Sequence, residues 1–305
     1  MGRSHPIAAT PTTEPPAADR VGSPNALLLV DKPAGLTSHD VVARVRRALR
    51  TKRVGHTGTL DPFATGLLVV LISRGTRLIP YVEGEPKVYE ATIRLGSETD
   101  TDDLTGTVLR QAEPPSDAAI ADAIARLTGA IDQIPPSFSA KQVDGQRAYD
   151  AARKGTPLHL PPVRVTVHEW TILHRAGNDL AVRITCGGGT YIRALARDLG
   201  RLSGSAAHLA ALRRTRSGPF DVSSATTLDD IDRGQITLAP LGDAIPAMPR
   251  RTIDAAELTR VLHGNSIDAR GESGRVALVD HDHSLIAIAE RENDVLRPKL
   301  VLHDA

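Results

Sequence analysis

The longest apolar runs in the chain are only five and six residues, Ala26-Leu27-Leu28-Leu29-Val30 and Leu67-Leu68-Val69-Val70-Leu71-Ile72. Runs of that length suit buried strands and fall far short of the ~20 residues that span a bilayer, so no membrane association is expected. Other stretches have helical spacing. Val41, Val42, Val45, Ala48 and Leu49 predict a helix over 38–49, capped by Thr37 or Ser38. Ala119, Ile120, Ile124 and Leu127 predict a second helix stopped by Gly129, and a third is expected over 191–202 after Gly187-Gly188-Gly189. A fourth is read over 144–153. Alternation places a strand at 87–95, with further strands near Val108 and over 163–173, 180–186 and 207–215. Residues 54–66 read as a loop. Strands and helices interleave without a repeated unit, which predicts a mixed α/β (α+β) fold: a largely antiparallel sheet flanked by helices.

Three regions are expected. Residues 1–24 carry Pro6, Pro11, Pro15, Pro16 and Pro24 among small polar residues, have no apolar segment of secretory type, and read as a disordered tail. Residues 25–228 form the main domain. Residues 229–305 hold a connector and a small β-rich module, with a helix over 254–262 and strands over 276–279, 285–289 and 300–302. So small a module is expected to pack on the main domain. Cys186 is the only cysteine, which excludes an internal disulfide framework and fits a reducing cytoplasm. His281-Asp282-His283 falls short of a four-ligand metal set, so no metal is expected.

A formal net charge of +1, from 37 basic and 36 acidic residues, says nothing about where the charges lie. Basic residues gather twice: Arg44, Arg46, Arg47, Arg50, Lys52 and Arg53, and again Arg193, Arg197, Arg201, Arg213, Arg214 and Arg216. The acids stand elsewhere along the chain, notably in the stretch from Glu98 to Asp103 and at Asp280 and Asp282. Both clusters are expected to face nucleic-acid phosphates.

The densest segment is Gly55-His56-Thr57-Gly58-Thr59-Leu60-Asp61-Pro62-Phe63-Ala64-Thr65-Gly66. It lacks the Gly-Lys-Ser/Thr ending of a phosphate loop and the strand–turn–Ser order of a nucleophile elbow. Taken alone it admits two readings. Either Asp61 is presented to a substrate between small side chains, or it caps amides in an ordinary turn.

That segment resembles the signature of the TruB family of pseudouridine synthases, Gly-His-x-Gly-Thr-Leu-Asp-Pro-x-Ala-x-Gly. Further stretches agree in the family's order: Val30-Asp31-Lys32-Pro33-Ala34-Gly35-Leu36-Thr37-Ser38; Lys87-Val88-Tyr89 with Gly96, Thr99, Asp100, Thr101, Asp103 and Gly106; Pro135-Pro136 to Ser139-Ala140 and Gly145; Gly189-Thr190-Tyr191-Ile192-Arg193; and His208 to Leu212-Arg213-Arg214. Two positions depart from it. Phe138 stands where the family has Tyr, and Lys141 comes one residue early.

The resemblance implies isomerisation of uridine-55 in the TΨC stem-loop of tRNA, with no cofactor, no protein partner and a monomeric enzyme. It implies Asp61 as the catalytic carboxylate, Arg193 as its partner and Tyr89 stacked on the flipped base. His56 fills the space the base leaves, Tyr191 and Leu212 line the pocket, and Lys32 and Lys87 lie beside it. Asp61 is compatible with attack on C1′ or with abstraction of the 2′ proton, and either role needs it ionised. Two rival functions are a guide-dependent synthase of the dyskerin kind and a tRNA-folding chaperone.

Overall fold

Residues 67–72 alternate between two cores. Leu67, Val69 and Leu71 enter one, and Leu68, Val70 and Ile72 enter the other; all six are fully buried. A strand covered on both faces reads as a continuous apolar run, and the sheet is built outward from it. The computed structural model describes residues 24–139, 142–143, 146–148, 151, 156 and 158–302.

The large sheet contains β1 (Ala26–Lys32), β2 (Val54–Thr57), β3 (Thr65–Ile72) and β4 (Lys87–Leu95) from the first third of the chain. A two-stranded hairpin, β5 (Ser97–Thr99) and β6 (Val108–Gln111), follows. Then come β7 (Gly129–Gln133), a second small hairpin of β8 (Gln142–Val143) and β9 (Gln146–Arg147), the long pair β10 (Val163–Ala176) and β11 (Asp179–Cys186), and β12 (Ala207–Ser217), β13 (Phe220–Asp221) and β14 (Thr226–Thr227). The order across the sheet is β14-β1-β3-β12-β4-β11-β10-β7, with β2 paired to β3 and β13 to β12. Its pairings are antiparallel except β1 with β14 and β3 with β12. Helix α1 (Ser38–Ala48) covers one face of β1 and β3. Helices α2 (Asp117–Arg126) and α3 (Ile192–Leu202) cover the β4, β11 and β12 side.

The C-terminal strands β15 (Arg250–Thr252), β16 (Ile267–Asp268), β17 (Arg275–Val279), β18 (Leu285–Glu292) and β19 (Val295–Val301) form a five-stranded sheet. Ala277, Val279, Leu285, Ile288, Leu300 and Leu302 share a core with Leu27, Leu67, Val69 and Leu71, so this module buries its apolar face on the main sheet.

Local signals explain the element ends. Thr37 caps α1 in a reciprocal box with Asp40, and Asp254 does the same with Glu257 for the helix Ala255–Leu262. One expectation needs correction. Residues 54–57 are a strand, because Val54 to Thr57 pair with Ile72 to Val69. Gly129 (φ +95°) not only ends α2 but begins β7, the far edge of the sheet. The helix expected over 144–153 falls largely outside the described residues.

The parallel contact between β3 and β12 joins Thr65 to Arg213 and Gly66 to Arg214. Gly66 sits at φ +101°, and a Cβ there would come within 2.8 Å of the Arg214 amide nitrogen. Gly66→Ala is therefore expected to destabilise the protein by about 3 kcal/mol or more, since strain and backbone overlap add. Equilibrium denaturation checks this, and an unchanged midpoint would show that the two strands can separate freely.

Candidate active site

Asp61 lies in the turn between β2 and β3, and both of its neighbours are pinned. The Leu60 amide donates to Ser38 Oγ at 2.9 Å, and that hydroxyl lies 3.2 Å from Leu60 O, at the N-terminus of α1. Pro62 O accepts from the Gly35 amide at 2.8 Å and from Lys32 Nζ at 3.2 Å. Lys32 is fully buried and also donates to Pro33 O and Leu36 O, which satisfies its three N–H groups. Burial lowers its pKa to about 8, although the nearby Asp61 charge opposes this. Arg214, also buried, donates to Gly58 O (2.9 Å) and Leu67 O (2.7 Å) and so ties the turn to the head of β3.

Arg193 stands 132 positions later in the first turn of α3, and it meets Asp61 as a fork: Nε donates to Oδ2 at 2.9 Å and Nη2 to Oδ1 at 3.0 Å. Its remaining N–H groups reach Thr101 O (3.2 Å) and Phe138 O (3.0 Å), and Asp103 Oδ2 lies 3.6 Å from Nη1. The guanidinium is thus surrounded by acceptors, with 6% of its side chain exposed against 32% for Asp61. Only the carboxylate opens outward. Burial pushes the Asp61 carboxyl above its ordinary value; Arg193 pulls against that, and Asp103 reinforces it. Asp103 is itself fixed by both Thr105 groups, amide at 2.9 Å and hydroxyl at 2.6 Å, and by the Thr101 hydroxyl at 2.8 Å.

The other sequence-predicted residues lie around this pair. Tyr89 and Leu212 belong to a core cluster that includes Leu60 and Ala64 of the turn, each leaving 7% of its surface open. Burial raises the Tyr89 phenol pKa, keeping it protonated. His56, on β2, is half-buried with no hydrogen-bond partner for Nδ1 among the described residues, and burial together with Arg214 keeps its imidazole neutral. Tyr191 is the residue before α3, and its pKa too is raised by burial. Lys87, half-buried opposite Cys186, has its pKa lowered by burial and by Arg214. Ala140, Lys141 and Gly145 of the third motif lie outside the described residues.

Gln133 was not singled out from sequence. Its side-chain amide accepts from the Tyr191 amide (2.9 Å) and donates to Tyr191 O (3.1 Å), which sets the start of α3 and hence the position of Arg193. A lone glutamine on an edge strand gives no warning of this.

The two basic clusters differ in kind. The second is not a free phosphate-facing patch. Arg193, Arg197 and Arg214 are buried; Arg201 pairs with Glu98 (2.5 Å) and Arg213 with Asp31 (2.7 Å); Arg216 donates to Gly218 O. Of the acids expected to stand apart, Glu98, Asp102 and Asp103 are partners of these arginines, whereas Asp280 accepts from amides of its own turn. The first cluster keeps its surface character. Arg44 pairs with Asp232, but Arg47, Arg50, Lys52 and Arg53 are exposed, with no ion pair among the described residues. Arg46, Arg47, Arg50 and Lys52 share one concave surface with Thr51. Among the described residues no three His, Cys, Asp or Glu side chains gather as metal ligands, and no helix is long and apolar enough to cross a membrane.

The mixed sheet that carries this pair has the fold of known solved structures. A chain of a Cbf5–Nop10–Gar1 complex matches 92% of this chain and 85% of its own, with TM-score 0.69 and 25% identity. A chain of an H/ACA RNP bound to a substrate RNA containing 2′-deoxyuridine matches 91% and 85%, with TM-score 0.67 and 24% identity. The fold is that of the pseudouridine synthases.

Sequence comparison narrows the class. The model of the TruB family pseudouridylate synthase N-terminal domain matches residues 46–192, and that of the tRNA pseudouridylate synthase B C-terminal domain matches 193–261. The chain belongs to the TruB family. It is 49% identical over 286 residues to tRNA pseudouridine synthase B of Thermobifida fusca, covering 90% of this chain and 97% of that one. With the protein of the same name from Leifsonia xyli it shares 45% over 277 residues, covering 87% and 92%.

Proposed function

We propose that this chain converts uridine to pseudouridine at position 55 in the TΨC loop of tRNA, with Asp61 as the catalytic residue. The observation that carries the reading is the forked Asp61–Arg193 pair, whose guanidinium is engaged on every side while the carboxylate stays 32% exposed. In the reaction the bond from ribose C1′ to uracil N1 breaks, the base turns, and a bond forms from C1′ to C5. The hydrogen on C5 leaves as a proton, and N1 gains one. An ionised Asp61 serves as nucleophile at C1′ or as base at the 2′ position, and Arg193 holds both its charge and its rotamer. Flipping the base out of its stack costs a few kcal/mol, and Tyr89, His56, Tyr191 and Leu212 provide the surfaces that receive the base and fill its place. Lys32 acts through the turn it anchors, and Lys87 lies beside the same turn at Gly58.

Residues 25–228 are assigned to catalysis, and the C-terminal module, residues 229–305, to contact with the tRNA body. No protein partner is required in this reading, and the enzyme acts as a monomer. The relatives at 43–49% identity are all named tRNA pseudouridine synthase B, which favours free tRNA over a guide-directed substrate. The test is to incubate purified protein with unmodified tRNA, add no cofactor, and map pseudouridine by position. Pseudouridine at 55 alone supports the reading, and none at 55 refutes it.

The exposed end of α1 supplies the phosphate contacts. Replacing Arg47 and Arg50 together by Glu is expected to weaken tRNA binding and to flatten the slope of log affinity against log salt by roughly one unit per lost contact. Arg44 is the wrong choice for this test because Asp232 already occupies it. An unchanged slope would return this surface to solvent.

A further inference from the structure

Arg197 follows Arg193 one helical turn along α3 and joins the same two segments. Arg193 reaches the turn after β5 through Thr101 O and the segment after β7 through Phe138 O. Arg197 reaches that turn through Asp102 Oδ2 at 2.9 Å and that segment through Ile134 O at 2.8 Å. Its Nε donates to Asp198 Oδ1 at 2.8 Å, which fixes the plane of the fork. Both members of the pair are buried, the side chains 8% and 9% exposed. Asp102 stands between Thr101 and Asp103, the two residues of this turn that face Arg193, and it adopts φ +61°. Backbone bonds between Asp102 and Leu209, and between Leu104 and Leu209, fix one side of the turn to β12. Arg197 fixes the other side to α3.

Building on the uridine isomerisation proposed above, we propose that the Arg197–Asp102 ion pair is a positioning device for Arg193, setting the spacing between turn and helix at which Arg193 holds Thr101, Phe138 and Asp61 together. A buried pair of this kind gains little stability over apolar packing, but it fixes orientation. The catalytic fork depends on orientation, because a misplacement of about 1 Å can cost on the order of 10²-fold in rate.

The pair also carries a titration. Burial lifts the Asp102 carboxyl to about 6, against the pull of Arg197, Arg193 and Arg201, and Asp198 adds to the lift. Asp103 flanks Asp102 on its own turn, and His208 of β12 is turned away to Ser97 O at 2.9 Å. A fall in pH through about 6 therefore discharges Asp102 and loosens the spacing. Asp102→Asn imposes the discharged state at every pH.

The experiment measures single-turnover pseudouridine formation on unmodified tRNA by wild-type protein, Asp102→Asn and Arg197→Lys, with tRNA affinity and thermal midpoint measured beside it. At pH 7.5 both variants are expected to lose about 10- to 50-fold in rate while tRNA affinity stays within about threefold. The wild-type acid limb is expected to be steeper than one proton, because Asp61 and Asp102 must both be ionised; in Asp102→Asn it falls to the slope of a single proton. Asp102→Glu, which keeps the charge, is expected to recover part of the rate. An Asp102→Asn protein with wild-type rate and acid limb overturns the positioning role. So does a loss of rate that only tracks a lowered thermal midpoint with the slope unchanged. Wild-type protein that forms no pseudouridine overturns the functional reading itself, which separates the two failures.

Discussion

Asp61→Asn is expected to lower the single-turnover rate of pseudouridine formation by at least about 10⁴-fold, while tRNA affinity stays within a few-fold. That loss corresponds to ~5.5 kcal/mol of transition-state stabilisation, the scale seen when a nucleophile or essential base is removed. Asparagine keeps the size of the side chain and can still accept from Arg193, so the turn pinned by Ser38, Gly35 and Lys32 should hold its shape. What it lacks is the charge, and a neutral amide neither attacks nor abstracts. The wild-type pH dependence should agree. Because burial raises the Asp61 carboxyl above an ordinary aspartate, protonation and loss of rate begin at a higher pH on the acid side. Substantial pseudouridine made by Asp61→Asn would remove Asp61 from the chemistry altogether.

The second largest effect is expected at Arg193. Lysine there supplies a point charge but cannot reach both Asp61 oxygens, Thr101 O and Phe138 O at once; a loss of about 10²- to 10³-fold in rate is expected. Arg193→Met goes further. Arg193 is what pulls the Asp61 carboxyl down against burial, so its removal raises that carboxyl and shifts the acid limb of the rate profile to higher pH. It also leaves Asp103 without its cation, and breaking a buried pair from one side costs about 3–5 kcal/mol. A shift of the acid limb to lower pH would contradict the assigned electrostatics. Rate–pH curves of both variants, with stability measured by denaturation, separate the two effects.

Sequence patterns located the elements whose causes are local. The Thr37–Asp40 box, the alternation over 87–95 and the apolar run at 67–72 each specify their own structure. Strand β2 was hidden because its four residues include glycine, histidine and threonine and owe their extension to the partner strand β3. The resemblance placed Arg193 beside Asp61, but the surroundings of that pair could not be read. Charges counted along the chain set the arginines of α3 against acids some 90 residues earlier, and only the packing of α3 on the turn after β5 shows that they neutralise one another. The same count made buried Arg214 look like surface. Gln133 gave no signal because its work is done across 58 positions by two backbone contacts.

Asp61 and Arg193 belong to different stretches of the chain. The N-terminal family model ends at residue 192 and the C-terminal one begins at Arg193, so the boundary passes through the proposed active centre, between its acid and its guanidinium. Asp61 enters β3 and Arg193 leads toward β12, and these strands touch at only two register pairs. During synthesis the carboxylate therefore emerges well over a hundred residues before the group that steadies it. The pair is completed only when β12 slots between β3 and β4, a non-local arrangement of the kind that forms slowly. The nascent chain thus carries an uncommitted acid until α3 and β12 close onto the sheet.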